Sequence, residues 1–428
     1  MKSPALALYR AATVAFTPFA GRFLAARSAR GKEDGERLGE RIGLASLPRP
    51  EGRLVWLHGA SIGEGLALLP LVTRLVERGL HALVTTGTKS SAAIVGARLP
   101  AGAVHQYAPL DAPRFVTRFL DHWRPDLAVF AESELWPNLV AAMHERGAPI
   151  VIVNARMSPR SYRRWRNIPG AAHALLERID MAFAQSQDDA ARLMRLGAPR
   201  VQIAGNLKYD VAPPPASTEA LADIVAQIGA RPIWIAASTH PDEEDICLEA
   251  HRLLRKRYPS LLTIIAPRDA RRGAALAQAA SAAGLPVARR ATGQRINSAT
   301  QVYFADTFGE MGLLYRLSSI VFMGKSLVTG GGQNPIEPAR LGSAILHGPW
   351  VGNFIDAYAA IDAAGGGRSV SDAEDLAREL AALLSNVAQA RTMARAAAGA
   401  VAELCGATDR VMQAIEPYLL HMLVDGAR

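Results

Sequence analysis

IVFMGKSLVTGGGQNPIEPARL, residues 320–341, decides how the second half of the chain is read. Its first four residues are a short apolar run of the size expected for a buried parallel strand. Gly324-Lys325-Ser326 opens a loop that reaches Gly330-Gly331-Gly332. Pro335 and Pro338 then read as first-turn residues of a helix, where a missing N–H costs nothing. A strand, a glycine loop and a helix N-terminus together make an anion cradle: the backbone N–H groups are accessible and the helix dipole favours negative charge. The expected occupant is a phosphate-bearing donor. An ordinary strand-to-helix loop with several glycines explains the same letters, so the stretch needs support from the rest of the chain.

That support begins with the pattern on either side. LVWLHG (54–59), ALVTTGT (82–88), LAVFAES (127–133), IVIVNA (150–155), MAFAQS (181–186) and VQIAGN (201–206) read as strands, with amphipathic stretches such as 66–78 and 113–123 between them. VAPPPAS (211–217) then interrupts the pattern, because three consecutive prolines end any regular element and form a stiff spacer. The alternation restarts with PIWIAAS (232–238), LTIIAPR (262–268), QVYFAD (301–306), IVFMG (320–324) and AILHGP (344–349), and the alanine-rich residues 372–424 read as three helices. Repeated strand–helix units predict an α/β chain of two doubly wound, Rossmann-like domains with parallel sheets. The expected organisation is an N-terminal segment 1–30, a first domain 31–210, a linker 211–217 and a second domain 218–428. Ligands in such sheets bind at the carboxyl ends of the strands, so two such domains are expected to face a central cleft.

Composition bounds the function. The chain has 428 residues, enough for two cores, and a net charge of +9. Residues 1–53 carry ten Lys/Arg against five Asp/Glu, and RMSPRSYRRWR (156–166) adds five arginines with no acid. Such an excess fits nucleic acid, an anionic membrane or a phosphorylated substrate. No nucleic-acid motif is present, and the arginine run reads as lying between elements instead of along a helix face, so nucleic acid is not expected. Cys247 and Cys405 are too few and too far apart for a disulfide framework, and no Cys/His cluster has zinc-ligand spacing. Near the N-terminus only eleven uncharged residues separate Arg10 from Arg22, short of the roughly twenty that a spanning helix needs. Tyr9, Phe16, Phe19, Phe23 and Leu24, interleaved with Arg10, Arg22 and Arg27, suit a helix lying on an anionic membrane surface. A helix packed on the protein's own core is the alternative.

Several strand ends carry residues capable of chemistry. Glu64, in HGASIGEG (58–65), opens a helix between two glycines that strip the site of bulk. Its position favours the ionised carboxylate, available as a proton acceptor, and it also suits a plain helix cap. Glu132 and Glu134 follow a strand in ESELWPN, and one of them would cap the helix starting near Pro137. Lys208, in GNLKYD, could meet a phosphate or a developing negative charge. In the second half, Ser238-Thr239 stand ahead of an acidic first helical turn and read as its cap. Arg268 follows a strand and suits a phosphate, and Glu337 suits ribose hydroxyls. GxxxxGK[ST] is absent, which excludes a P-loop, and no well-placed GxGxxG supports a dinucleotide.

Taken in order, HGASIGEG, TTGTKSSA (85–92), ESELWPN, NARMSPRS (154–161), GNLKYD, ASTHPDEE (237–244), DTFGEM (306–311) and KSLVTGGGQNPIEPA (325–339) resemble the Kdo transferases of lipopolysaccharide synthesis. These move 3-deoxy-D-manno-octulosonic acid (Kdo) from CMP-Kdo onto a lipid A precursor. The resemblance implies a GT-B architecture with the acceptor domain first, association with the cytoplasmic face of the inner membrane through the N-terminal segment, and no metal or other cofactor. By motif match it implies that Glu64 is the proton acceptor and that Glu132 and Lys208 stabilise the transition state. It further implies that Pro267, Arg268, Phe308, Gly309, Glu310, Asn334, Pro335, Ile336 and Glu337 bind CMP. Arg156, Arg160 and Arg163 are expected to face the acceptor's phosphates. Two features depart from the family: Asp269-Ala270 stands where a His-Pro pair is common, and the N-terminal apolar segment is short for a spanning anchor. A nucleotide-sugar epimerase and a non-catalytic sugar-binding scaffold at the membrane are the alternatives.

Overall fold

A computed structural model of the chain describes residues 3–425; residues 1–2 and 426–428, at the ends of the expected first and last segments, lie outside the described residues. Two parallel sheets organise the chain. The first runs β1 (Leu54–His58), β2 (His81–Thr86), β3 (Ala103–Tyr107), β4 (Leu127–Ala131), β5 (Ile150–Ala155), β6 (Met181–Ala184) and β7 (Val201–Ile203), in the order β3-β2-β1-β4-β5-β6-β7. The second runs β8 (Ile233–Thr239), β9 (Leu262–Pro267), β10 (Val287–Arg289), β11 (Val302–Phe304), β12 (Ile320–Met323), β13 (Ala344–His347) and β14 (Gly367–Ser369), in the order β10-β11-β9-β8-β12-β13-β14. The doubly wound α/β expectation holds in both halves.

The strands are apolar on both faces because helices cover both. In β1, Leu54 and Trp56 enter one core with Phe119, Phe130 and Ile152, while Val55 and Leu57 enter the other with Leu68, Leu71 and Val129. Every strand that the sequence reading missed, β3, β10 and β14, lies at a sheet edge. Edge strands are short and need only one apolar neighbour, so their letters carry a weak signal.

Each sheet reverses its winding once, between β1 and β4 in the first and between β8 and β12 in the second. At such a point the loops leaving two adjacent strands diverge to opposite faces and open a crevice for a ligand. The candidate residues lie at or beyond the carboxyl ends of strands, on loops or in the first turns of the helices that follow.

The chain divides into two compact units, Met1–Val211 with Cys405–Arg428, and Ala212–Leu404. The last helix, Ala407–Asp425, was expected in the second domain but belongs to the first unit. Val411, Ile415, Leu419 and Met422 form a stripe at helical spacing that joins the core of Val55 and Leu57, and Asp210 holds the helix start by accepting from the Gly406 and Thr408 N–H groups. In the second unit the proline stretch is anchored: Arg316 donates to the Pro214 carbonyl at 2.9 Å.

The N-terminal residues form helices Pro4–Phe16 and Ala20–Ala29. Three residues read as facing a membrane instead pack inward: Leu24 is buried, Phe16 packs on Ala20, Ala112 and Phe115, and the Tyr9 hydroxyl donates to Asp111 at 3.0 Å. Phe19 and Phe23 stay exposed, together with Leu8 and Val14. No helix among the described residues is long and apolar enough to cross a membrane.

Candidate active site

In the first unit, β1 runs into the helix Ile62–Glu77, which Ser61 caps by accepting from the Glu64 N–H at 3.3 Å. The Glu64 carboxylate folds back, accepting from the Ser61 hydroxyl at 2.6 Å and from the Ala60 N–H at 2.8 Å. Both readings of Glu64 therefore survive: the side chain caps the helix, and the capping bonds hold a half-buried carboxylate at the crevice. The two flanking glycines differ. A Cβ at Gly65 would lie 2.6 Å from Val95, so that glycine serves helix packing. A Cβ at Gly63 would lie 3.8 Å from the Lys208 side chain, an ordinary contact, so Gly63 sits beside the lysine without being required there by packing.

Glu132 follows β4 with φ at +56°, a conformation that glutamate adopts only when its surroundings impose it, as happens at functional sites. Lys208 lies on the single turn Leu207–Tyr209, and its Nζ is 2.6 Å from Glu132 Oε1. The fold thus brings together three residues that are far apart in sequence. Asn154, at φ +53°, was not singled out by sequence reasoning. Its buried Oδ1 accepts from the Leu207 N–H at 3.0 Å and fixes the turn that carries Lys208. Its place at the end of β5, inside a quoted motif, was the available signal. Glu134 does not cap the next helix: it accepts from the Trp136 indole at 2.7 Å and lies 3.7 Å from the Nε2 of buried His58. Burial raises its pKa, but His58 and Trp136 outweigh that and hold it below the usual carboxylate value.

The arginine run is helical, which corrects the expectation of a loop. Ser158 caps the helix Pro159–Arg166, Tyr162 and Trp165 pack against the core, and the arginines point outward. Arg156, Arg160 and Arg163 are exposed and have no acidic partner among the described residues.

In the second unit the opening stretch differs from its simple reading. The helix after the glycine loop is only Ile336–Arg340, too short to build a sizeable dipole. The backbone N–H groups of Lys325, Ser326 and Leu327 already donate to Glu243, at 2.6, 2.8 and 2.9 Å. Glu243 also accepts from the His240 N–H at 2.9 Å. The first part of the loop therefore cradles the protein's own buried carboxylate. The expected cap by Ser238 or Thr239 is also absent: the Thr239 hydroxyl donates to Glu244, which pairs with Arg272 at 2.7 Å.

The residues expected to bind nucleotide lie at or just beyond the carboxyl ends of β9, β11 and β12. Pro267 ends β9 and Arg268 follows it, exposed, its backbone N–H on the Thr239 carbonyl at 2.9 Å. Phe308 is 75% exposed beside Gly309 at φ +82°, and Arg290 holds Glu310 at 2.6 Å. Asn334 accepts from the Ile336 N–H at 3.0 Å and donates to Glu337 at 3.3 Å, while Pro335 and Ile336 are buried. Asp269 holds the turn Ala270–Arg272 by accepting from the Arg271 N–H at 3.1 Å, and it pairs with the Arg271 side chain.

Two doubly wound units, each with charged side chains at the carboxyl ends of its strands, make a fold of the GT-B type. Residues 36–211 match the family described as 3-deoxy-D-manno-octulosonic-acid transferase (kdotransferase). The 3-deoxy-D-manno-octulosonic acid transferase of Haemophilus influenzae is 35% identical over 90% of this chain and 92% of its own length. The chain belongs to this family. A glycosyltransferase from Rickettsia africae shares the fold, with a TM-score of 0.58, 13% identity, and coverage of 87% of this chain and 99% of that one. So does a putative UDP-N-acetylglucosamine 2-epimerase from Listeria monocytogenes, with a TM-score of 0.55, 14% identity, and coverage of 86% and 97%. At such identity these two likenesses concern the fold alone.

Proposed function

We propose that the protein transfers Kdo from CMP-Kdo to a glucosamine hydroxyl of a lipid A precursor (lipid IVA) by direct, inverting displacement. The observation that carries the mechanism is Glu64 at the first switch point, across Gly63 from the Lys208–Glu132 pair. The acceptor oxygen attacks the anomeric carbon of Kdo while Glu64 takes its proton. The bond from that carbon to the phosphate oxygen breaks, and CMP leaves with the electron pair. The transition state has oxocarbenium character, as in other glycosyl transfers. Glu132 offsets the positive charge on the sugar, and Lys208 the negative charge on oxygen. In the second unit Arg268 meets the phosphate, Phe308 offers a face to the base, and Glu337 suits the ribose. No metal is needed, because fixed cations supply the charge. Arg156, Arg160 and Arg163 suit the acceptor's phosphates. Leu8, Val14, Phe19 and Phe23, with Arg10 and Arg22 nearby, suit the anionic cytoplasmic face of the inner membrane.

CMP release from CMP-Kdo, followed with and without the lipid A precursor, tests this reading. Release that requires the acceptor, with product mass increased by whole Kdo units, is the expected result. Conversion of a nucleotide sugar without any acceptor would favour an epimerase, and nucleotide binding with no turnover would favour a scaffold.

A further inference from the structure

Lys325 is the residue of the glycine loop that the proposed function leaves unused. It sits immediately beyond β12 at φ +61°, where glycine is the natural occupant. The position is tightly determined. The Lys325 N–H shares Glu243 Oε2 with the His240 N–H, at 2.6 and 2.9 Å, so the two loops flanking the switch point are pinned to one oxygen atom. The Gly332 N–H donates to the Lys325 carbonyl at 2.7 Å. A Cβ at Gly330 would lie 2.6 Å from Lys325 Cγ, so that glycine is needed to seat the lysine stem. A lysine held at positive φ, its stem packed against a glycine, points to a task for the ammonium.

The surroundings indicate an anion. Arg268, on the other side of β8, is held by its backbone N–H on Thr239, next to His240. Among the described residues neither the Lys325 ammonium nor the Arg268 guanidinium has a hydrogen bond or ion pair. The pKa of His240 is lowered, first by burial and then by the charges of Lys325 and Arg268, which act against Glu243 and Glu244. Its Nε2 lies 3.0 Å from the Gln333 side-chain nitrogen, which can only donate, so the ring nitrogen accepts. Two permanent cations therefore stand beyond the ends of β9 and β12, the two strands that flank β8. A nucleotide monophosphate diester carries one negative charge, which Arg268 answers. A second cation matches a second anion on the same donor.

We propose that Lys325 binds the carboxylate of the donor's sugar acid, making it the residue that selects acidic sugars over neutral ones. This rests on the reading of the donor as CMP-Kdo. Lys325→Gly removes the ammonium and relieves the backbone, so the variant folds without penalty at this position. The expected result is a KM for CMP-Kdo raised about tenfold or more, as for loss of a charge-assisted hydrogen bond. The affinity for CMP itself should change less than threefold, and Lys325→Arg should recover most of the loss. Equal losses for CMP and CMP-Kdo would assign Lys325 to the phosphate and overturn the proposal, and so would an unchanged KM. If the wild-type protein does not turn over CMP-Kdo, the donor assignment itself fails, which is a separate outcome.

Discussion

Glu243 has no exposed surface, yet it accepts four backbone N–H groups, from His240, Lys325, Ser326 and Leu327. A carboxylate is the only common side chain with enough acceptor sites for this. Glu243→Gln keeps the shape but turns an NH2 group toward two of those donors, leaving them buried and unpaired. We predict a loss of about 3 kcal/mol in denaturant unfolding, at about 1–3 kcal/mol per orphaned group, together with weaker nucleotide binding. An unchanged midpoint would refute the strut. Legibility at this scale follows from distance along the chain. Glu64, Glu132 and Lys208 could be picked out because each sits just beyond an apolar strand, where this architecture puts its chemistry. Glu243 reads as one more acid in a helical first turn, since its partner amides lie some eighty residues away. Asn154 stands inside a quoted motif at the end of β5, but its partner, the Leu207 N–H, lies some fifty residues on.

The N-terminal helices are docked through Asp111. Its carboxylate accepts from the Tyr9 hydroxyl at 3.0 Å and from the Asn138 and Leu139 N–H groups, at 3.0 and 2.9 Å, at the start of the helix Pro137–Glu145. Burial pushes its pKa up to about 6, against those hydrogen bonds. The folded state therefore holds the Asp111 proton more tightly than the unfolded chain does. Its contribution to stability is largest below the unfolded pKa, falls as pH rises from about 4 to 6, and is level above. Asp111→Asn fixes the neutral form, so the wild type should lose ground to this variant by on the order of 2 kcal/mol between pH 4 and 7. Parallel stability curves would show that Asp111 does not titrate in this range. Strands were most legible where both faces are buried, as in β1 or β12; of the four edge strands only β7 was read. The arginine helix escaped notice because only Tyr162 and Trp165 mark its inner face. In the N-terminal segment, which aromatics face inward depends on Asp111 and Ala112, a hundred residues on.

At the scale of the molecule, the proline stretch marked the division into two units, while the return of the last helix to the first unit was invisible. An alanine-rich helical end gives no sign of which core will take Val411, Ile415 and Leu419. In the proposed mechanism the chemistry divides along the same line, with proton transfer assigned to the first unit and donor recognition to the second. The central claim is that Glu64 is the base and not only a cap. Glu64→Gln separates these roles, because glutamine preserves a capping box but cannot take the proton at neutral pH. The deciding measurement is acceptor-dependent CMP release by Glu64→Gln, with CMP binding measured on the same preparation. Turnover should fall by at least about a hundredfold, within the range for general-base catalysis, while CMP affinity stays at the wild-type value. Turnover close to wild type would show that Glu64 is a helix cap and that the base lies elsewhere.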